Sequence, residues 1–296
     1  MVKKLLFIVN PRAGRTKSRA PLFDAVSLFS DADFLVCVRC TAARGDATRF
    51  AAEEGAGYDV VVCSGGDGTL NETMMGLMQL DREKRPLLGY LPQGSTNDFA
   101  SSLNISGNPV TAARAIVRGN SRVLDVGKFQ DRCFVYVASF GAFTKSSYSA
   151  SQSAKNALGH FAYILEGMKD LNTLRPYRVR IDADGEVFDG EYLFGAVCNS
   201  TSIGGLMRLD PENVVLDDGK FELLLVPSPK NPIELQNLLL ALLSQQYEQG
   251  GLVFRHVSNV RVVTEEELSW SLDGEYAPSE PTVEIMNIQG ALDILL

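Results

Sequence analysis

Long apolar runs are missing from this 296-residue chain: no purely apolar stretch exceeds the six residues of Leu238–Leu243. A bilayer-spanning helix needs about 20 such residues, so none is expected. Histidine is almost absent; His160 and His256 alone cannot build a histidine-rich metal site or serve several catalytic triads. Positive charge is in deficit, with 28 Lys and Arg against 36 Asp and Glu for a net charge of −8. That balance excludes wrapping a nucleic-acid backbone, which needs a concentrated basic surface, so no nucleic-acid partner is expected. The cysteines, Cys37, Cys40, Cys63, Cys133 and Cys198, are odd in number, and no partner pair or nearby His follows the CxxC spacing of Cys37 and Cys40. Buried free thiols in a reducing compartment are the expectation. Neither GxxxxGK[ST] nor GxGxxG occurs, which removes the P-loop and the dinucleotide fingerprint.

What is present is ordinary in bulk: 45% apolar and 22% charged residues, enough chain for two domains. Leu5–Val9 runs straight into Asn10-Pro11, a strand rather than a signal peptide, so a cytoplasmic protein is expected, touching the inner face of a membrane only from the side. Short apolar segments at Leu5–Val9, Phe34–Val38, Val60–Cys63 and Leu87–Leu91 alternate with helical patterns at Ala20–Phe29, Asp46–Glu54, Thr69–Leu80 and Val110–Arg118. This alternation predicts a three-layer α/β domain with a parallel sheet over residues 1–124. Beyond it, Val123–Phe129, Cys133–Phe140, Tyr177–Ile181, Glu191–Cys198, Phe221–Val226, Val253–Val263 and Thr282–Met286 read as strands. They predict an antiparallel β-sandwich over 125–287, interrupted by helices at Ser153–Leu171 and Pro232–Gln249. A last short apolar strand is expected at Ala291–Leu295, and its pattern leaves open which of the two domains it joins.

Three loops at strand ends carry the chemistry. Val60–Cys63 leads into Ser64-Gly65-Gly66-Asp67-Gly68-Thr69-Leu70-Asn71-Glu72. Glycines let backbone approach a ligand, and the N–H groups opening the next helix suit phosphate. Asp67 cannot hold phosphate itself, so it acts through a divalent cation or as a base; a plain turn with a solvent-facing Asp is the bland alternative. Asn10-Pro11-Arg12-Ala13-Gly14, with Lys17 close behind, and Gly94-Ser95-Thr96-Asn97-Asp98-Phe99-Ala100 complete the set.

These loops resemble those of the bacterial diacylglycerol-kinase-like lipid kinases, relatives of sphingosine kinases and more distantly of NAD kinases. The resemblance extends over Arg44-Gly45-Asp46-Ala47, Asp125-x-Gly127, Asp217-Asp218-Gly219 and Asp273-Gly274-Glu275. It implies a NAD-kinase/diacylglycerol-kinase-like fold in which residues 288–296 return to the first domain, with ATP and Mg²⁺ as cofactors and a lipid hydroxyl, most naturally of diacylglycerol, as phosphate acceptor. It further implies that Asn10, Arg12, Lys17, Arg44, Gly65, Gly66, Gly68, Thr69, Glu72, Gly94, Ser95, Thr96 and Asn97 line the nucleotide. Asp67, Asp98 and Asp125 would order the catalytic magnesium, and Val215, Asp218 and Lys220 a second ion in the β domain. Glu275 is the implied general base, with Asp273 as runner-up; read locally, Asp273-Gly274 is equally a hairpin turn. Apolar groups such as Phe140, Phe161 and Met168 are candidates for the lipid pocket, and a homodimer is compatible with the pattern. Two rivals remain open: a NAD kinase, and a catalytically silent nucleotide-binding regulator.

Overall fold

The computed structural model describes residues 2–14, 20–94, 97–141, 175–200, 202–203, 207–208, 214–247, 249–278 and 280–296. The expected helix at Ser153–Leu171, with His160 and most of the apolar groups expected at the lipid, lies outside the described residues, as do Lys17, Ser95 and Thr96. The chain divides into two units, residues 1–125 with 290–296, and residues 126–289.

In the first unit β1 (Lys3–Val9), β2 (Phe34–Cys40), β3 (Val60–Gly65) and β4 (Leu87–Pro92) pair only in parallel, in the order β4-β3-β1-β2. Their apolar runs are long enough for strands and too short for helices, and β1 and β3 are buried from end to end of their apolar stretches. The helices between them are α1 (Ala20–Asp31), α2 (Asp46–Glu54) and α3 (Asp67–Leu77), and α4 (Asp98–Ser102) and α5 (Pro109–Arg118) follow β4. Helix α5 starts as its sequence demands: Asn108 accepts the N–H groups of Val110 and Thr111, Pro109 opens the helix, and Gly119 closes it at φ 78°. Helix α1 packs on α5 over a core that includes Phe7 and Phe29, whose rings meet edge to face at 5.9 Å, and α2 packs on α3.

The final strand of the chain, β17 (Thr282–Leu295), is continuous, where the sequence suggested two separate pieces. Its end lies parallel beside β4, with Ile294 opposite Leu88. Three side chains fasten it there. Arg82 donates to the Gly290 carbonyl and meets Asp293 at 2.6 Å, and buried Asp125 accepts the Gly290 N–H at 2.8 Å. Arg85 donates to the carbonyls of Ala291 (2.7 Å) and Leu80 (3.0 Å) from a partly buried position. Replacing Arg85 by Met keeps the apolar stem and removes these charged donors, so urea unfolding should reveal a loss of about 2–3 kcal/mol. A variant within 0.5 kcal/mol of the parent would refute the clamp, that being about the noise expected of an ordinary surface substitution.

The second unit is antiparallel throughout its described pairs. It contains the end of β5 (Ser121–Phe129), then β6 (Arg132–Phe134), β7 (Val137–Gly141), β8 (Tyr177–Ala183), β9 (Glu186–Cys198), β10 (Ser202–Ile203), β11 (Met207–Arg208), β12 (Phe221–Pro227), β13 (Val253–Val257), β14 (Asn259–Val263), β15 (Trp270–Leu272), β16 (Glu275–Ala277) and most of β17. Strand β9 is the spine: its first half pairs with β8, its second with β7 and β12. Trp270 fills the core between Phe129 and Phe140, with both centroids 5.0 Å away. Phe140 is therefore part of the core.

Two runs that look like single strands are each broken, for one reason. The Cys133–Phe140 run divides into β6 and β7 because the amides of Val135 and Tyr136 turn to the Asp273 carboxylate. The Val253–Val263 run divides at Ser258, where Ser258 and Asn259 donate to the Asp184 carboxylate at 2.7 and 2.9 Å. The helix Pro232–Leu243 stops six residues before the expected Gln249, and Gln245 past its end takes φ 57°. All five thiols are free, but only Cys63 and Cys198 are buried; Cys40 is exposed, contrary to the expectation for the set.

Candidate active site

Parallel pairing puts the carboxyl ends of β1, β3 and β4 on one edge of the sheet, where open α/β sheets bind ligands. The register makes this concrete: Val9 faces Ser64 and Gly65 faces Pro92, so Asn10, Gly66 and Gln93 leave the sheet side by side. The loops are then tied to one another. Asn10 donates from its backbone to Ser64 O and from its side-chain amide to the Thr69 hydroxyl, at 2.8 and 3.0 Å. Its side-chain oxygen accepts the Arg12 N–H at 3.0 Å, which folds the short loop ending at Gly14. Gln93 donates to Gly65 O at 2.7 Å.

The glycines here are required by close approach. A Cβ on Gly94 would lie 2.8 Å from Gly66 Cα and 2.7 Å from Asn97 Oδ1, and one on Gly14 would lie 2.7 Å from the Gln93 carbonyl. Gly66 caps α3, Asp67 is its first residue, and the amides of Thr69 and Leu70 both donate to Gly66 O. Asp67 Oδ1 is buried at this helix start. Its charge reaches inward: burial first, then Asp67 and Cys63, raises the Tyr90 phenol, and burial pushes the Cys63 thiol up to about 12.

Asn97 adopts the left-handed conformation at φ 52°. Its side chain closes a tight ring with Gly94, accepting the glycine N–H at 2.8 Å and donating to its carbonyl at 3.1 Å. Sequence reasoning missed Tyr90 and Gln93. The hydroxyl of Tyr90 donates to Gly65 O at 3.3 Å from full burial, and a Tyr in an otherwise apolar strand was the available sign. Glu72 ties the neighbouring loop to α3: its carboxylate accepts the Gly45 N–H at 2.9 Å and its carbonyl accepts the Thr48 hydroxyl. It thereby braces the loop of Arg44, which is exposed, as is Arg12. Asp46 finishes that loop; amides of Ala42 and Ala43, then Arg49, hold its carboxyl below the usual carboxylate range.

In the second unit Asp273 and Gly274 form the two-residue turn of the β15–β16 hairpin, both at positive φ (49° and 86°), with Leu272 opposite Glu275. Asp273 is buried, while Glu275 is partly exposed at the first position of β16. Asp218 accepts the Lys220 N–H at 2.9 Å in an exposed turn, and Val215 is exposed beside it. Among the described residues no three His, Cys, Asp or Glu side chains converge as a metal cluster. The candidate donors Asp67, Asp125 and Asp218 nevertheless fit magnesium in kind, being hard carboxylate oxygens, and Asp67 places a buried Oδ1 at the start of α3.

A parallel-sheet unit with three glycine-bearing loops on one edge, joined to an antiparallel unit, defines the NAD-kinase-like class of phosphotransferase folds. The chain belongs to the bacterial diacylglycerol kinase family: residues 4–129 match the diacylglycerol kinase catalytic domain, and residues 137–296 match the YegS C-terminal NAD kinase beta sandwich-like domain. It is 33% identical to a diacylglycerol kinase of Bacillus subtilis over 100% of this chain and 97% of the relative. It is 32% identical to one from Staphylococcus aureus strain MRSA252, over 99% of this chain and 92% of the relative. Two solved structures described as diacylglycerol kinases, one of them putative, from Bacillus anthracis match with TM-scores of 0.81 and 0.80 at 26% and 28% identity, each covering 99% of this chain and 96% of its own. Lipid kinase function of this family type follows from that likeness along the whole chain.

Proposed function

We propose that the chain transfers the γ-phosphate of ATP to the hydroxyl of diacylglycerol or a closely related lipid, with Mg²⁺. The observation that carries the reading is the fusion of three strand-end loops into one backbone-lined edge at Asn10, Gly66 and Gly94. Phosphoryl transfer asks for positioning and charge neutralisation more than covalent chemistry, and such an edge supplies the first. Magnesium, when bound, supplies the second, held by Asp67 together with Asp98 and Asp125. Asn10, Thr69, Gly94 and Asn97 fix the shape of the nucleotide edge; Arg12, Lys17 and Arg44 provide its cations. Glu275 takes the proton of the lipid hydroxyl, and the turn of Val215, Asp218 and Lys220 holds a second ion. Packing of α1 on α5 and α2 on α3 supports helices on both faces of the parallel sheet. Among the described residues no helix is long and apolar enough to cross a membrane, and we place the protein in the cytoplasm with sideways contact at the inner leaflet, working as a homodimer without nucleic acid.

The test is transfer of radiolabelled γ-phosphate to micellar diacylglycerol, monoacylglycerol, ceramide, a sphingoid base and phosphatidylglycerol, with Asp67→Ala as the blank. Labelled diacylglycerol that disappears in the blank is the expected result. No labelled lipid, with ATP binding intact, overturns the reading and makes NAD the next acceptor to add. A second variant probes the edge itself: Gly94→Ala forces its methyl onto Gly66 Cα, so the KM for ATP should rise by about 10–100-fold. An unchanged KM would show that the contact between the loops is dispensable.

A further inference from the structure

We infer that Asp273 is a positioning residue that acts through Glu275, and that it is not itself a proton acceptor; this rests on the proposed lipid-kinase reading. Both of its carboxylate oxygens are engaged by backbone donors. Oδ2 accepts the Val135 N–H at 2.7 Å, and Oδ1 accepts those of Tyr136 and Val137 at 2.9 and 3.0 Å. Its own N–H donates to Val137 O at 2.9 Å, and the residue is 4% exposed. A general base must offer a lone pair within hydrogen-bond reach of the proton it takes. Of the roughly four lone-pair sites of this carboxylate, three are taken by successive amides inside the fold.

The three bonds have a structural consequence. They satisfy the amides at the gap between β6 and β7, where strand pairing lapses, and they fix the hairpin turn against that gap. Leu272 and Glu275 are the residues paired directly across the turn, so the start of β16 is set by the carboxylate one turn away. Glu275, partly exposed, is the acid this arrangement presents. The Asp184-Gly185 turn is an internal control: the same residues at φ 49° and 92°, the same two-residue hairpin, and a carboxylate clasping the Ser258 and Asn259 amides. That copy is exposed and has no acid at the paired strand position with a role in the reaction, although Glu186 stands there and instead pairs with Arg255 at 2.8 Å. The clasp thus occurs twice among the described residues of this unit, and of the two the one at Asp273 is buried behind a candidate catalytic group.

The test is a double-mutant cycle of Asp273→Asn and Glu275→Gln, read by kcat, KM for ATP and the pH dependence of kcat, with amide hydrogen exchange at 135–137. An Asn keeps one acceptor oxygen but turns an NH₂ group on the remaining donors. Asp273→Asn should lower kcat about 100-fold, shift the acidic limb of the pH profile, leave the KM for ATP unchanged and speed exchange at 135–137. In the Glu275→Gln background the same change should cost less than about threefold, because its effect runs through the acid already removed. Asp184→Asn should leave kcat, KM and the pH profile where they were.

If Glu275→Gln keeps the acidic limb and Asp273→Asn abolishes it, Asp273 is the base and the inference falls. Costs that multiply independently also overturn it. Should Asp273→Asn fail to fold, Gly274→Ala disturbs the turn through its φ of 86° alone, with Tyr136 Oη the nearest atom at 3.7 Å, and must show the same dependence on Glu275. A parent protein that labels no lipid sinks the lipid-kinase reading first; an active parent with an unaffected Asp273→Asn sinks only this inference.

Discussion

Alanine at Asp67 is expected to lower phosphoryl transfer by about 10³-fold or more while leaving the protein folded. The two halves of that statement have separate origins. Asp67 is the first residue of α3, so its charge favours the helix by only about 0.3–1 kcal/mol, and that is the scale of stability lost. Its electrostatic influence is larger where it counts. Beside the larger effect of burial, the carboxylate adds to the upward shifts of both Tyr90 and Cys63, and its own charge opposes a phosphate in the same turn. A cation resolves that conflict, and removing the carboxylate removes the reason for the cation to stay. Asp67→Asn separates charge from shape, because it preserves size and hydrogen-bonding reach. Transfer by the Asn variant should fall nearly as far as by the Ala variant at saturating Mg²⁺. Activity within tenfold of the parent would remove the metal from the argument.

Glu222→Gln is expected to stabilise the second unit, and to do so only above mildly acidic pH. Glu222 sits on β12 between Cys198 of β9 and His256 of β13, 1% exposed, with Oε1 4.0 Å from His256 Nε2 and Oε2 buried with no hydrogen-bond partner among the described residues. Burial, with a smaller push from Asp218, raises its carboxyl to about 9. The unfolded chain releases this proton near the ordinary value of 4.5, whereas the native state keeps it until about 9. Between those values the native protein binds the extra proton, so stability falls as pH rises, by up to about 1.4 kcal/mol per unit. At pH 8 the parent should have lost a few kcal/mol relative to pH 4.5. Gln reproduces the protonated acid and carries no such dependence. Melting curves of the two proteins should coincide near pH 4.5 and diverge in favour of Gln by pH 8; parallel curves across that range would mean that Glu222 ionises normally in the fold.

Much of the first unit was legible because its signals are local. Helix α2 was expected at Asp46–Glu54 and occurs there, and the four strand segments reappear lengthened by one or two residues. Parallel pairing then places the three glycine loops together without further information, since strand direction alone decides which ends share an edge. The errors have a common origin in contacts made across long sequence separations. Nothing in the Cys133–Phe140 run announces that Asp273, 137 residues from Tyr136, will take its amides, and nothing in Val253–Val263 points to Asp184. The turn chemistry of Asp-Gly was readable, but what the carboxylate does once the turn is made was not. The tie from Glu72 to Gly45, 27 residues earlier, was unreadable for the same reason.

The first unit is discontinuous, and that has a consequence for how it is made. Residues 1–125 are synthesised first, yet the strand that covers the β4 edge comes from residues 290–296, after the 126–289 segment. At ordinary elongation rates of about 5–20 residues per second, on the order of 10–30 s pass before that strand exists. Throughout that interval Leu88 and its neighbours on β4 present an open edge of the kind that pairs with other chains. Arg82, Arg85 and Asp125 wait with their partners still unmade. The half that carries the glycine loops is therefore begun first and finished last, and a nascent chain stalled inside the second unit would be exposed to misassociation through the first.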